Sequence, residues 1–160
     1  MINLNISTVI YQPINKVFDF VSTPENDFQW QYGTLASTKI TAEAGTTTGT
    51  FFRSVGNLMG HRIQSTYEVT DYEPSTKYGF KSLSGPLNSH TSYDFEMADG
   101  STKVTISMQA NVINFFQVNE GILEKKMKKQ IKENLAMLKN LLEAKKFLPT
   151  FDVNPLQTET

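Results

Sequence analysis

The chain has 160 residues, 39% of them hydrophobic, enough for one compact domain that buries roughly 68–70% of its unfolded surface. Its lack of cysteine excludes a disulfide scaffold, a Cys-ligated zinc site, an iron–sulfur cluster and a thiol nucleophile. A formal charge of -1 sets it apart from dedicated nucleic-acid binders, which carry a basic excess.

Ile2, Leu4, Ile6, Thr8 and Ile10 alternate with other residues, the period-2 signature of a strand with one buried face. Pro13 stops that strand and is expected at the first helical position, where its missing N–H costs nothing. Val17, Phe18, Phe20 and Val21 then follow at helical spacing, which predicts a short helix over 13–21. Ser22-Thr23-Pro24-Glu25 repeats the start signal with a hydroxyl cap, a proline and an early carboxylate. A second short helix is therefore expected to end near Trp30.

From Thr34 to Val112 the chain is rich in Thr, Val, Tyr and Phe and is punctuated by Gly and Pro turns. This predicts antiparallel strands near 34–43, 48–58, 61–72, 76–83, 89–98 and 102–112, with Asp99-Gly100 the strongest hairpin turn. Gly45-Thr46-Thr47-Thr48-Gly49 lacks a following Lys-Ser/Thr, so it reads as a turn and not a phosphate loop. Tyr78 and Phe80, then Thr91, Tyr93, Phe95 and Met97, then Val104, Ile106, Met108, Ala110 and Val112 share one face; Lys81, Asp94, Glu96, Lys103, Thr105 and Gln109 make the other face wet. After Phe115-Phe116 the period changes. Leu123, Met127, Ile131, Leu135, Leu138 and Leu142 form one apolar stripe on a helix over 119–146. Pro149 to Thr160 has no periodicity and is expected to be extended or disordered. With no leader-like segment and no apolar run near the roughly 18 residues of a membrane span, a cytoplasmic protein is expected.

A strand, two short helices, six strands and a long helix make an α+β layer architecture with room for an apolar cavity between sheet and helix. The run Ile10-Tyr11-Gln12-Pro13-Ile14-Asn15-Lys16-Val17-Phe18-Asp19-Phe20-Val21, continued by Ser22-Thr23-Pro24-Glu25-Asn26 and Trp30, resembles the opening of the START-like (SRPBCC) superfamily, in its polyketide cyclase/dehydrase and lipid transport branch. Glu68-Val69-Thr70-Asp71-Tyr72-Glu73-Pro74 and Asp99-Gly100-Ser101-Thr102-Lys103-Val104 match its strand-turn phrases. The resemblance covers about residues 2–146. It implies a helix-grip fold: a seven-stranded antiparallel curved sheet wrapped around a long C-terminal helix, with two short helices between the first two strands. One ligand-binding domain over 1–148 would precede a tail over 149–160. Because the family spans lipid carriers, hormone receptors, allergens and cyclases, fold alone does not name the ligand.

Candidate polar anchors follow from strand parity. Tyr67, Tyr78 and Tyr93 point inward, each bringing a hydroxyl that needs a partner or a ligand. His61 shares the parity of Ile63, Ser65, Tyr67 and Val69, which places it at the pocket mouth within reach of Arg53, either as a rim histidine or as a general base. Arg53 has apolar residues at both parities around it, so its direction stays open between an inward anion or carbonyl anchor and an exposed strand arginine. Trp30, Arg53, Ser65, Tyr67, Tyr78, Tyr93, Met108, Met127 and Ile131 make the expected ligand-binding set; His61 and Tyr93 are the acid-base candidates, and His90 is expected on the surface. Two histidines cannot hold zinc without carboxylates beside them, so no metal or cofactor is expected.

The leading expectation is a non-catalytic module that binds or transports an apolar or aromatic small molecule. A cyclase or dehydratase acting on a polyketide-like substrate is the main alternative. A third is a protein- or membrane-interaction module using Lys125, Lys126, Lys128, Lys129 and Lys132. Glu124–Lys128, Lys129–Glu133 and Lys139–Glu143 are spaced as the i,i+4 pairs of an ordinary solvated helix. A hydrophobic small molecule is the expected partner, a weak homodimer stays open, and no nucleic acid is expected.

Overall fold

The computed structural model describes residues 1–41, 45–112 and 119–145. Seven strands form one antiparallel sheet: β1 (Ile2–Ile10), β2 (Thr34–Lys39), β3 (Phe51–Leu58), β4 (His61–Glu73), β5 (Lys77–Ser84), β6 (Leu87–Ala98) and β7 (Ser101–Val112). Their order is β1-β7-β6-β5-β4-β3-β2, so strands two to seven form a meander and the first strand closes onto the last. The register keeps the inward residues together, with Ile6 opposite Ile106, Tyr93 opposite both Ile106 and Tyr78, and Phe52 opposite Tyr67. Irregular pairing between Thr34 and Ala36, Thr66 and Tyr67, and Val69 and Asp71 marks bulges, which bend strands and deepen the twist of the curved sheet.

Between β1 and β2 lie the helix α1 (Ile14–Val21) and a 3-10 helix, Pro24–Gln29. Pro13 is not the first helical residue. Its ψ of 145° is extended, and its carbonyl accepts from the amides of Lys16 and Val17 at 3.1 and 3.2 Å, so it caps α1 from outside. Thr23 precedes the 3-10 helix without capping it through its side chain; the hydroxyl instead donates to the Asp19 carbonyl at 2.8 Å and satisfies the end of α1.

The long helix α2 (Glu120–Lys145) packs against β1. Leu135, Leu138 and Leu142 join Val17, Phe18, Phe95 and Val104 in the main apolar cluster, where each fully buried side chain contributes about 1.5–3 kcal/mol. Leu123 and Met127 belong to a second cluster with Ile2, Leu4 and Ala110, and Ile131 touches both. Met97 departs from its expected buried face: it is 74% exposed, one residue pair from the tip of the Asp99-Gly100 hairpin. The expected second strand to residue 43 ends at Lys39, with 42–44 outside the described residues. The tail expected over 149–160 lies outside them as well.

Candidate functional site

A cavity of about 200 Å³ lies between the sheet and the middle of α2. The sheet contributes Phe52, Tyr67, Phe80, Tyr93, Ile106 and Met108; Met127, Ile131 and Leu135 face them from α2. This position between the two apolar clusters explains the opening. Leu138, Leu142 and Leu123 do not border the cavity, whereas Met127, Ile131 and Leu135 border it while also packing into the clusters on either side.

The aromatic wall is continuous. Phe52 stacks on Tyr67 with centroids 5.1 Å apart, and Phe80 meets both edge-on at 5.2 Å. Tyr78 stacks on Tyr93 at 5.9 Å, and Trp30 meets Tyr93 in a T-shape at 6.2 Å. Such pairs hold rings in place and leave them little freedom to collapse into the void.

The sequence-derived candidates separate into three groups. Trp30, Ser65, Tyr67, Tyr93, Met108, Met127 and Ile131 line the cavity. Tyr78 has the same parity as Tyr93 and is only 2% exposed, yet it sits behind Tyr93 and not on the cavity wall. Arg53 lies on the outer face. It pairs with Thr66 while its neighbour Phe52 pairs with inward Tyr67, so an anchoring role inside is corrected by the register. His61 is exposed at the start of β4 opposite Leu58 and does not line the cavity. Five residue steps of strand separate it from the level of Arg53, roughly 17 Å, so the expected approach of these two side chains does not occur. His90 is exposed on the outer face, with its Nε2 4.0 Å from the Asp71 carboxylate.

Sequence reasoning missed Asp27. In a 3-10 helix residues three apart eclipse, and Pro24, Asp27 and Trp30 share one buried face, the last two lining the cavity. That three-residue spacing was the available signal. Burial raises the Asp27 carboxyl well above the usual carboxylate range; a hydrogen bond with Ser37 opposes the shift, and the negative charge of Glu25 adds to it. The Ser37 hydroxyl lies 3.2 Å from that of Ser54, so a neutral Asp27 can donate to Ser37 while Ser37 donates to Ser54. Glu25 behaves oppositely: burial works against its charge, but the amide and ammonium of Lys39, at 3.1 and 3.0 Å, hold it below the ordinary value.

Burial also raises Tyr67 and Tyr93, with the charge of Asp27 as a further cause. Both phenols therefore keep their protons; a hydrogen bond with Ser65 opposes the shift at Tyr67. The Trp30 indole Nε1 is buried without a hydrogen-bond partner among the described residues. Among those residues, no Lys, Arg or His side chain lines the cavity.

At the cavity mouth, the Tyr32–Gly33 segment bridges the sheet and α2. Asn134 accepts from the Tyr32 amide at 2.7 Å, and Gln130 donates to the Tyr32 carbonyl. The Gly33 carbonyl accepts from the Asn57 amide at 2.7 Å on β3. The sequence reading did not single out Gln130 or Asn134.

Residues 1–143 match the family model described as polyketide cyclase / dehydrase and lipid transport. No curated protein matches the chain. Among solved structures, a START superfamily protein from Mycobacterium smegmatis is similar with a TM-score of 0.77 at 11% identity, over 90% of this chain and 99% of that one. A protein of Thermus thermophilus has a TM-score of 0.73 at 16% identity, over 89% of this chain and 97% of its own. The di-domain ARO/CYC BexL from the BE-7585A biosynthetic pathway has a TM-score of 0.70 at 14% identity, over 89% of this chain and 47% of that one. At these identities the structural likenesses establish the helix-grip fold.

Proposed function

The chain belongs to the polyketide cyclase/dehydrase and lipid transport family, and on that premise we propose that it binds an apolar or aromatic small molecule between the sheet and α2. One observation carries this reading: a cavity of about 200 Å³ persists in a wall of paired aromatic rings. Apolar cavities with a few convergent polar groups are the usual form of a small-molecule site. Native mass spectrometry of the purified full chain tests it. A co-purifying small molecule, or a one-to-one adduct from an aromatic panel, is expected; the unliganded mass alone throughout would count against binding.

A cyclase- or dehydratase-type reaction is the second reading, supported by the presence of Tyr93 and Asp27 on one cavity wall. The phenol of Tyr93 can donate to a substrate carbonyl. If the protein turns over a polyketide-like substrate, Tyr93→Phe should lower turnover by roughly 10²–10⁴-fold, whereas pure binding predicts a change in affinity only. His61→Ala should leave turnover unchanged, because His61 lies outside the cavity wall.

The lysines at 125, 126, 128, 129 and 132 are all exposed, as on any solvated helix face, and their position adds no support to a docking role. Lys139 and Glu143 form an i,i+4 pair at 2.7 Å. A cytoplasmic site of action belongs to the ligand-binding reading and agrees with the cysteine-free sequence. Among the described residues, no helix is long and apolar enough to cross a membrane.

A further inference from the structure

We infer that the cavity takes a small uncharged ligand presenting a carbonyl or phenol oxygen to a wall of hydrogen-bond donors, and that it rejects carboxylate-bearing ligands such as fatty acids. This deepens the ligand-binding reading above and depends on it.

Charge selection follows from what surrounds the void. Among the described residues no cation lines it, and the carboxyl of Asp27 does. A carboxylate entering would lose its hydration with no positive group to balance it, the costliest form of polar burial. It would also stand near Asp27, which either bears a like charge or holds the single proton the two groups would have to share.

Donor selection follows from the same wall. Tyr67 and Tyr93 bring phenols to the cavity wall. A ligand oxygen that accepts from one of these phenols is favoured over a bare hydrocarbon. Size sets the last limit. A cavity of about 200 Å³ falls below the roughly 300–1,000 Å³ of drug-sized sites, which suits one or two fused rings and is too small for a sterol or a diacyl lipid.

Three probes of nearly one shape separate these factors: naphthalene, 2-acetylnaphthalene and 2-naphthoate, titrated into the full chain by calorimetry near neutral pH. The ketone should bind about tenfold more tightly than naphthalene, the effect of one well-made hydrogen bond. The carboxylate should bind at least about a hundredfold more weakly than the ketone. Binding of 2-naphthoate as tight as that of the ketone would overturn the charge rule and leave the ligand-binding reading standing. Absence of binding by all three would overturn both. Tyr93→Phe and Tyr67→Phe should each reduce the ketone's advantage while naphthalene affinity, the measure of an intact cavity, stays constant. An undiminished advantage in both variants would overturn recognition by wall donors.

Discussion

The Tyr32 backbone amide donates a 2.7 Å hydrogen bond to the side chain of Asn134, across the boundary between the loop before β2 and the helix α2. Gln130, one turn earlier on α2, donates to the carbonyl of the same residue. Both peptide groups of an exposed loop residue are thereby tied to the helix that covers the cavity. Asn134→Ala should cost only about 0.5–1.5 kcal/mol in folding stability, the net value of one hydrogen bond, but it should raise ligand release rates more than it weakens folding. Stopped-flow displacement beside a denaturant midpoint measures the two; an unchanged release rate would remove this contact from the mouth's closure.

Close approach of two glycines holds the other side of that loop. A Cβ on Gly56 would overlap the Gly33 carbonyl oxygen, and Gly33 itself has φ +82° with Asn57 O 2.7 Å from where its Cβ would stand. The obstacles are backbone atoms and cannot swing away. Gly56→Ala should cost about 1–3 kcal/mol or more through overpacking. Gly60 has φ +81° but open space around it, so Gly60→Ala should cost only the left-handed strain of about 1–2 kcal/mol. Ligand affinity should fall in the first variant alone, since Gly56 lines the cavity and Gly60 does not.

Asp27 makes stability depend on pH in a definite direction. Its carboxyl is raised in the folded chain by burial and by the nearby charge of Glu25, so between its unfolded and folded values the folded state binds more protons. Stability from this residue therefore falls as pH rises through that window and stays reduced above it. Glu25, lowered by Lys39, acts in reverse: its contribution is present above the ordinary carboxylate value and lost as pH falls through the lowered one. Asp27→Asn removes only the first effect. The variant should gain stability over the parent progressively as pH rises above the ordinary 3.8 of an aspartate, read from denaturant midpoints at a series of pH values. A difference that stays flat across about pH 4 to 8 would contradict the burial argument.

The two halves of the apolar stripe on α2 should respond differently to truncation. Leu138 is fully buried in the main cluster, and Leu138→Ala should cost about 2–5 kcal/mol as a new void opens. Met127 borders a void already present, so Met127→Ala forfeits fewer contacts and should cost less while shifting preference toward larger ligands. Equal destabilisation with unchanged ligand preference would mean a solid core between helix and sheet.

Alternation and punctuation made the strands from β4 to β7 legible, because one face of each is wet and the turns carry Gly or Pro. Parity reports a side, not a depth. Tyr78 and Tyr93 face each other across β5 and β6, yet only Tyr93 reaches the cavity, since the stacking order depends on sheet curvature. Arg53 was undecidable locally: Phe52 and Val55 flank it at both parities, and only the pairing of Phe52 with Tyr67 sets which face it takes. Asp27 escaped notice because a carboxylate near the start of a helix is ordinarily a favourable surface charge, and its burial comes from β2 packing on the 3-10 helix.

The chain contains a single tryptophan, and Trp30 is 3% exposed on the cavity wall, so its fluorescence reports the central claim without a label. Titrating the full chain with 2-acetylnaphthalene should change Trp30 emission along a saturating one-to-one curve, and 2-naphthoate at the same concentrations should leave it unchanged. Emission that never responds to the ketone, in a sample where calorimetry detects no heat of binding, would contradict the account of this cavity as a small-molecule site.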